Sequence, residues 1–224
     1  MIEKELMMGD KKLIVLGAGI VGFLIAFYLV FYFSQVVEQG GFEESPVVKE
    51  SEQKVRDFGD WVEYTSKLSR FRASFPELPQ TDSKAINIPG EDNVKAALHL
   101  FVSELPDQST IMIKVTRFPE DYQVNDVTFQ LKETMNEILN ANKQNVLRDI
   151  LETTWQEKPA LNFEIQNREI RLMAKSVYAN HSIYTIIYAA RIAEFDQRVF
   201  DHFLETFVIT TDFNVSPDSQ KKSK

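Results

Sequence analysis

Apolar positions recur along this chain in three different rhythms. From Leu13 to Phe33 they have no rhythm at all: "LIVLGAGIVGFLIAFYLVFYF" is 21 residues without a charge or a side-chain amide. From Phe71 onward, alternation dominates. "FRASF" puts Phe71, Ala73 and Phe75 on one side, and "TIMIKVT" does the same with Ile111, Ile113 and Val115, so each predicts a strand with one buried face. "VKAALHLFV" and "SIYTIIYAA" are apolar on both sides, which predicts inner strands covered on both faces. The stretch from Ala160 to Tyr188 predicts two hairpins, turning near Gln166 to Arg168 and at Asn180-His181, where asparagine tolerates the left-handed backbone of a tight turn.

A helical period appears twice within this β pattern. Val127, Leu131, Met135 and Ile138 share a face, with Asn125 or Asp126 available as N-cap. Phe195, Val199, Phe203 and Phe207 repeat every four residues and predict a second helix lying on the sheet. "NVLRDILETTW" is less plain, because Val146, Leu147, Ile150 and Leu151 suit a helix better than a strand by spacing. Strands and helices in this order predict an α+β fold, an antiparallel β-sheet flanked by helices on both sides as an α/β/α sandwich.

The unpatterned stretch has two readings. Gly17, Gly19 and Gly22 spell the GxGxxG turn of a dinucleotide-binding fold, which would make the chain an FAD- or NAD-dependent oxidoreductase. That turn needs an amphipathic helix after it and then a second strand ending in an acid. No polar face exists before Phe33, and only "SQVV" separates the apolar run from Glu38, so helix, turn and strand do not fit. A bilayer makes simpler demands. Twenty-one residues at ~1.5 Å each match a hydrocarbon core of about 30 Å, and 14 of them are Leu, Ile, Val or Phe. Tyr28 and Tyr32 stand near one end, at head-group level.

The expected organisation follows from this span. Residues 1–12 form a cytoplasmic N-terminus, because Lys4, Lys11 and Lys12 precede the span and the next base is Lys49. Residues 13–33 form an uncleaved, single-pass signal anchor, since the apolar run is long for a signal peptide and no Ala-x-Ala site follows. Residues 34–60 read as an acidic stalk, 61–213 as the domain on the trans side (periplasmic in a bacterium), and 214–224 as a disordered tail. Ala18, Gly22 and Ala26 recur every four residues, a transmembrane packing stripe for a weak homodimer or the ordinary abundance of small residues in such helices. The lipid bilayer is the one partner the residues name.

Composition narrows the chemistry. A net charge of −8 argues against nucleic acid, which needs a basic face. The absence of cysteine removes disulfides, thiolate metal sites and thiol nucleophiles. His99, His181 and His202 fall on a strand, a turn and a helix, without metal-ligand spacing. No G-x-S-x-G or S-x-x-K occurs. Glu120, Asp121 and Asp126 crowd into seven residues, either a weak cation site or acids favoured by the dipole of the following helix; the second explanation suffices. No catalytic residue, metal ligand or cofactor is therefore assigned. Asn180 and Asn214 head Asn-x-Ser sequons, which matter only in a glycosylating host.

"FRASFPELP", the mid-chain amphipathic helix, "EKPALNFEI", the tyrosine-bearing "HSIYTIIYAA" and the closing "FDHFLETFVI" together resemble the PsbP-like family over Leu68 to about Thr210. That fold is shared by the extrinsic photosystem II protein, a Ran-binding import factor and uncharacterised bacterial proteins. The resemblance implies that "NVLRDILETTW" is a strand, against its spacing. It implies no catalytic set, and it implies a protein that works by binding other proteins. The expectation is a membrane-anchored, non-catalytic domain that binds a protein partner or assists assembly at the membrane.

Overall fold

The computed structural model describes residues 58–88 and 94–210. The span at 13–33, its stripe Ala18, Gly22 and Ala26, the Gly17–Gly22 turn, the stalk up to residue 57 and the tail lie outside the described residues. Among the described residues no helix is long and apolar enough to cross a membrane.

Seven strands form an antiparallel sheet: β3 (Gln80–Asn87), β4 (Lys95–Glu104), β5 (Thr110–Arg117), β6 (Val146–Trp155), β7 (Lys158–Gln166), β8 (Ile170–Ala179) and β9 (Ser182–Arg191). Their spatial order is β3-β4-β5-β9-β8-β7-β6, and every neighbouring pair is antiparallel. A smaller sheet, order β1-β2-β10, joins β1 (Val62–Ser66), β2 (Phe71–Phe75) and β10 (Val208–Ile209). Helix α1 (Val127–Asn140) covers one face of the large sheet; helix α2 (Gln197–Thr206) and the small sheet cover the other.

Each face carries its own core. Ile111, Ile113, Val115, Tyr184, Ile186 and Tyr188 pack toward Phe71, Phe75, Phe203 and Phe207. Met112, Ile183, Ile187, Leu161 and Phe163 pack toward Leu131, Met135 and Ile138 of α1. The expected one-faced strand at Thr110–Thr116 is thus buried on both faces, because α1 lies over Met112 and Lys114. β9 is buried from end to end, as its two-sided apolar sequence predicts. β4 is an inner strand too, although only alternate residues are fully buried there.

Local chemistry sets the boundaries. Asp126 is the N-cap of α1, accepting from Phe129 N–H at 2.9 Å, and Asp196 caps α2, accepting from Arg198 N–H at 3.1 Å. Phe195 and Phe207 fall just outside α2, yet both still contribute to the core it covers. Asn180 and His181 adopt φ of 50° and 54°, the left-handed pair that joins β8 to β9. In the other expected turn Asn167 Oδ1 accepts from Glu169 and Ile170 N–H at 2.9 and 2.8 Å.

"NVLRDILETTW" is a strand, β6, and the helical spacing misleads there. As an edge strand it needs no regular alternation: Val146, Ile150 and Leu151 stay exposed, and a register shift between Leu147 and Asp149 breaks the period. The hairpin to β7 turns at Gln156 and Glu157, with φ of 51° and 62°, residues that carry little turn signal. β1, β3 and β10 likewise have no counterpart among the predicted elements.

The two edges of the large sheet are closed by the same device. On β3, Asp82 Oδ1 accepts the N–H of Ser83 at 2.8 Å; on β6, Asp149 Oδ1 accepts the N–H of Ile150 at 2.9 Å. An edge N–H used in this way is withdrawn from pairing with another chain, and a charge stands beside it. Asp149→Ala should therefore raise concentration-dependent self-association, read by light scattering. Asp149→Asn, which keeps the accepting oxygen, should raise it far less. Equal behaviour of the two variants would show that the hydrogen bond does not guard the edge.

Candidate functional site

The three histidines remain apart. His202, on α2, stacks on Phe58 with centroids 4.2 Å apart and meets the edge of Trp61 at 4.9 Å, so it ties the start of the domain to the helix. His181 is exposed in the β8–β9 turn. His99 is half-buried on β4, where burial and, secondarily, the Arg117 charge hold its pKa below the usual 6.5. Among the described residues no group of three or more His, Asp or Glu could hold a metal ion. The crowded acids have separate tasks: Glu120 lies 3.7 Å from Arg117, Asp126 caps α1, and Asp121 is exposed.

The sheet assembles polar groups that are far apart in sequence. Lys114, Thr185 and Ser176 are successive cross-strand neighbours on β5, β9 and β8, all at most 1% exposed beneath α1. Ser176 and Thr185 share a hydrogen bond of 2.9 Å, and Lys114 Nζ donates to Glu137 of α1. A lone ammonium at that depth would be very costly, so the carboxylate is pinned above it and fixes α1 against the sheet. Sequence reading passes over this line because "IMIKVT" shows one lysine in an alternating strand, where a solvent-facing position is the natural assignment.

The opposite face carries a second polar group toward β6. Arg171 forms a two-pronged pair with Glu164 at 2.9 and 2.8 Å and stands 4.2 Å from the Phe195 ring centre. Lys175 Nζ donates to Asn162 Oδ1 at 2.7 Å, and burial lowers its pKa from the usual 10.5. Neither group sets a nucleophile against a base. Their hydrogen bonds fix side chains of β7 and β8 against each other.

These features define the class: an antiparallel α+β domain with two cores and paired polar side chains on both faces of its large sheet. No family model and no curated protein matches the chain. Among solved structures it is similar to cyanobacterial PsbP from Synechocystis sp. PCC 6803, with TM-score 0.45 and 12% identity over 77% of this chain and 99% of that one. It is also similar to a protein of unknown function from Pseudomonas aeruginosa, with TM-score 0.38 and 7% identity over 68% and 99% of the two chains. The first is a PsbP structure, the family whose pattern the sequence resembles, and both likenesses concern chain arrangement alone.

Two measurements test these assignments. Glu137→Ala strands the buried Lys114 ammonium and should destabilise the domain by about 3 kcal/mol or more, whereas Lys114→Met leaves a one-third exposed carboxylate free to hydrate and should cost far less. Denaturant titration of both variants would show the reverse order if the pair did not matter. For His99 the folded pKa lies below the unfolded value, so its contribution is complete above pH 6.5 and is lost as pH falls below that value. Stability should decline from about pH 7 to 5, and His99→Gln should flatten that decline.

Proposed function

We propose that the chain is a single-pass, membrane-anchored, non-catalytic protein that presents its α+β domain to a protein partner or an assembling complex on the trans side of the membrane. The observation that carries this reading is the 21-residue uncharged run at 13–33, with lysines on its N-terminal flank, ahead of a region that closes its own core from Phe58 onward. The domain supports a binding role in two ways. Its polar groups are arranged in pairs and ladders rather than around a reactive atom. Large apolar side chains stay exposed on β6, notably Ile150 and Leu151.

On this reading the domain requires no cofactor, and Gly22 serves helix packing. Gly22→Leu should leave the domain folded and weaken self-association in a membrane dimerisation reporter; loss of a bound yellow chromophore from the mutant would instead restore the oxidoreductase alternative. Full-length protein should stay with membranes through an alkaline carbonate wash, and protease added from the trans side should remove the domain. Release by carbonate would refute the anchor, and protection of the domain would refute the orientation. Photo-crosslinkers at Leu151 in native membranes should yield a discrete adduct with another protein. Adducts to lipid alone would refute the partner.

A further inference from the structure

Among the described residues, three buried side-chain polar atoms have no hydrogen-bond partner: Ser69 Oγ, Asn180 Nδ2 and Thr210 Oγ1. Such atoms are rare, because burying a donor without a partner is costly. These three are not scattered. Ser69 lies between Leu68, whose carbonyl accepts from Arg117 Nη1 at 3.4 Å, and Arg70, whose carbonyl accepts from Thr210 N–H at 2.9 Å. The turn holding Asn180 lies beside the same end of β5, since Phe118 N–H donates to His181 O at 2.9 Å and Arg117 pairs with Ser182. One end of the domain thus gathers all three.

Two guanidinium groups belong to that end. Arg117 is held loosely, with Glu120 at 3.7 Å and 85% exposed. Arg70 is exposed, in a left-handed backbone with φ of 53°, and forms no ion pair among the described residues. The buried Tyr184 hydroxyl belongs to β9, opposite Val115 and so two residues from Arg117 along β5. Burial pushes that hydroxyl above its usual 10, outweighing the pull of the Ser182 hydroxyl and the two arginines, so it remains a protonated donor at neutral pH. Around this end the other titratable groups are His99, whose pKa burial and then Arg117 lower, the exposed His181 of the turn itself, and the exposed Lys67, Glu120 and Asp121.

We propose that Arg70 and Arg117, with Ser69, Asn180 and Thr210 supplying neutral hydrogen bonds, form a binding site for a phosphate group. Two like charges at one end of the domain disfavour a cation and suit an oxyanion. The guanidinium fork matches phosphate oxygens, and a tetrahedral anion offers acceptors in enough directions to meet donors arriving from three separate segments. A bridging water would pair the orphaned atoms but would leave Arg70 without a counter-charge, Arg117 having only the loosely held Glu120. This site is independent of the membrane anchor and of the partner.

The test is equilibrium dialysis of the full-length protein in neutral detergent against radiolabelled inorganic phosphate, at constant ionic strength set with chloride. Saturable binding of one phosphate per chain is expected. Arg70→Gln, at an exposed side chain, should weaken it about tenfold or more. Asn180→Gly keeps the left-handed turn while removing the amide, and should weaken it severalfold; Arg168→Gln, an exposed arginine in another turn, should leave it unchanged. Thermal melts show that each variant remains folded. Absence of saturable binding at millimolar phosphate overturns the proposal. So does binding that Arg70→Gln leaves intact, or attachment only to phosphatidylglycerol vesicles without binding of the free anion.

Discussion

The arrangement depends on the burial of β5 and β9 on both faces at once. Ile111, Ile113, Tyr184 and Tyr188 are 0–1% exposed on one side, while Met112, Ile183 and Ile187 are at most 4% exposed on the other. A sheet with such a centre cannot leave either face to water. Each face must be covered by elements from elsewhere in the chain, and these are α1 on one side, α2 with the small sheet on the other.

That double cover has a polar consequence. Lys114 stands in the middle of β5, so the helix above it must bring a carboxylate, and Glu137 supplies it. Leu131, Met135 and Ile138 would let α1 slide along an oily sheet with modest penalty; an ion pair at one point does not. The Ser176–Thr185 bond continues the polar line across β9 and β8 without leaving a hydroxyl unpaired. At the strand ends this economy fails, and Ser69, Asn180 and Thr210 remain orphaned next to two arginines. The middle of the sheet spends its polar groups on structure, whereas the end near Arg117 keeps donors in reserve.

The edges follow from the same sheet. A seven-stranded antiparallel sheet that does not close has two open sides, and β3 and β6 each turn an aspartate onto their own backbone. β6 nevertheless leaves Ile150 and Leu151 exposed beside that aspartate, the side chains on which the proposed partner contact rests. Recognition at this domain would therefore be carried by side chains rather than by strand addition.

By itself the sequence determined whatever is encoded within about ten residues: the strands at Phe71, Thr110 and Ser182, a cap at Asn125 or Asp126, the face of α1, and the left-handed Asn180-His181 turn. These rest on period, capping and backbone sterics, which are local. Tertiary structure alone decided the rest. β6 reads as a helix by spacing, though a strand by the family resemblance, and its place at the sheet edge removes the need for alternation. β10, two residues long, is a strand because β2 lies beside it. Lys114 meets Glu137, and Arg117 reaches the Leu68 carbonyl, across separations of 23 and 49 residues that no spacing rule spans. Charge pairing and donor convergence depend on distances in space, and only the closing of the sheet under its two covers sets those.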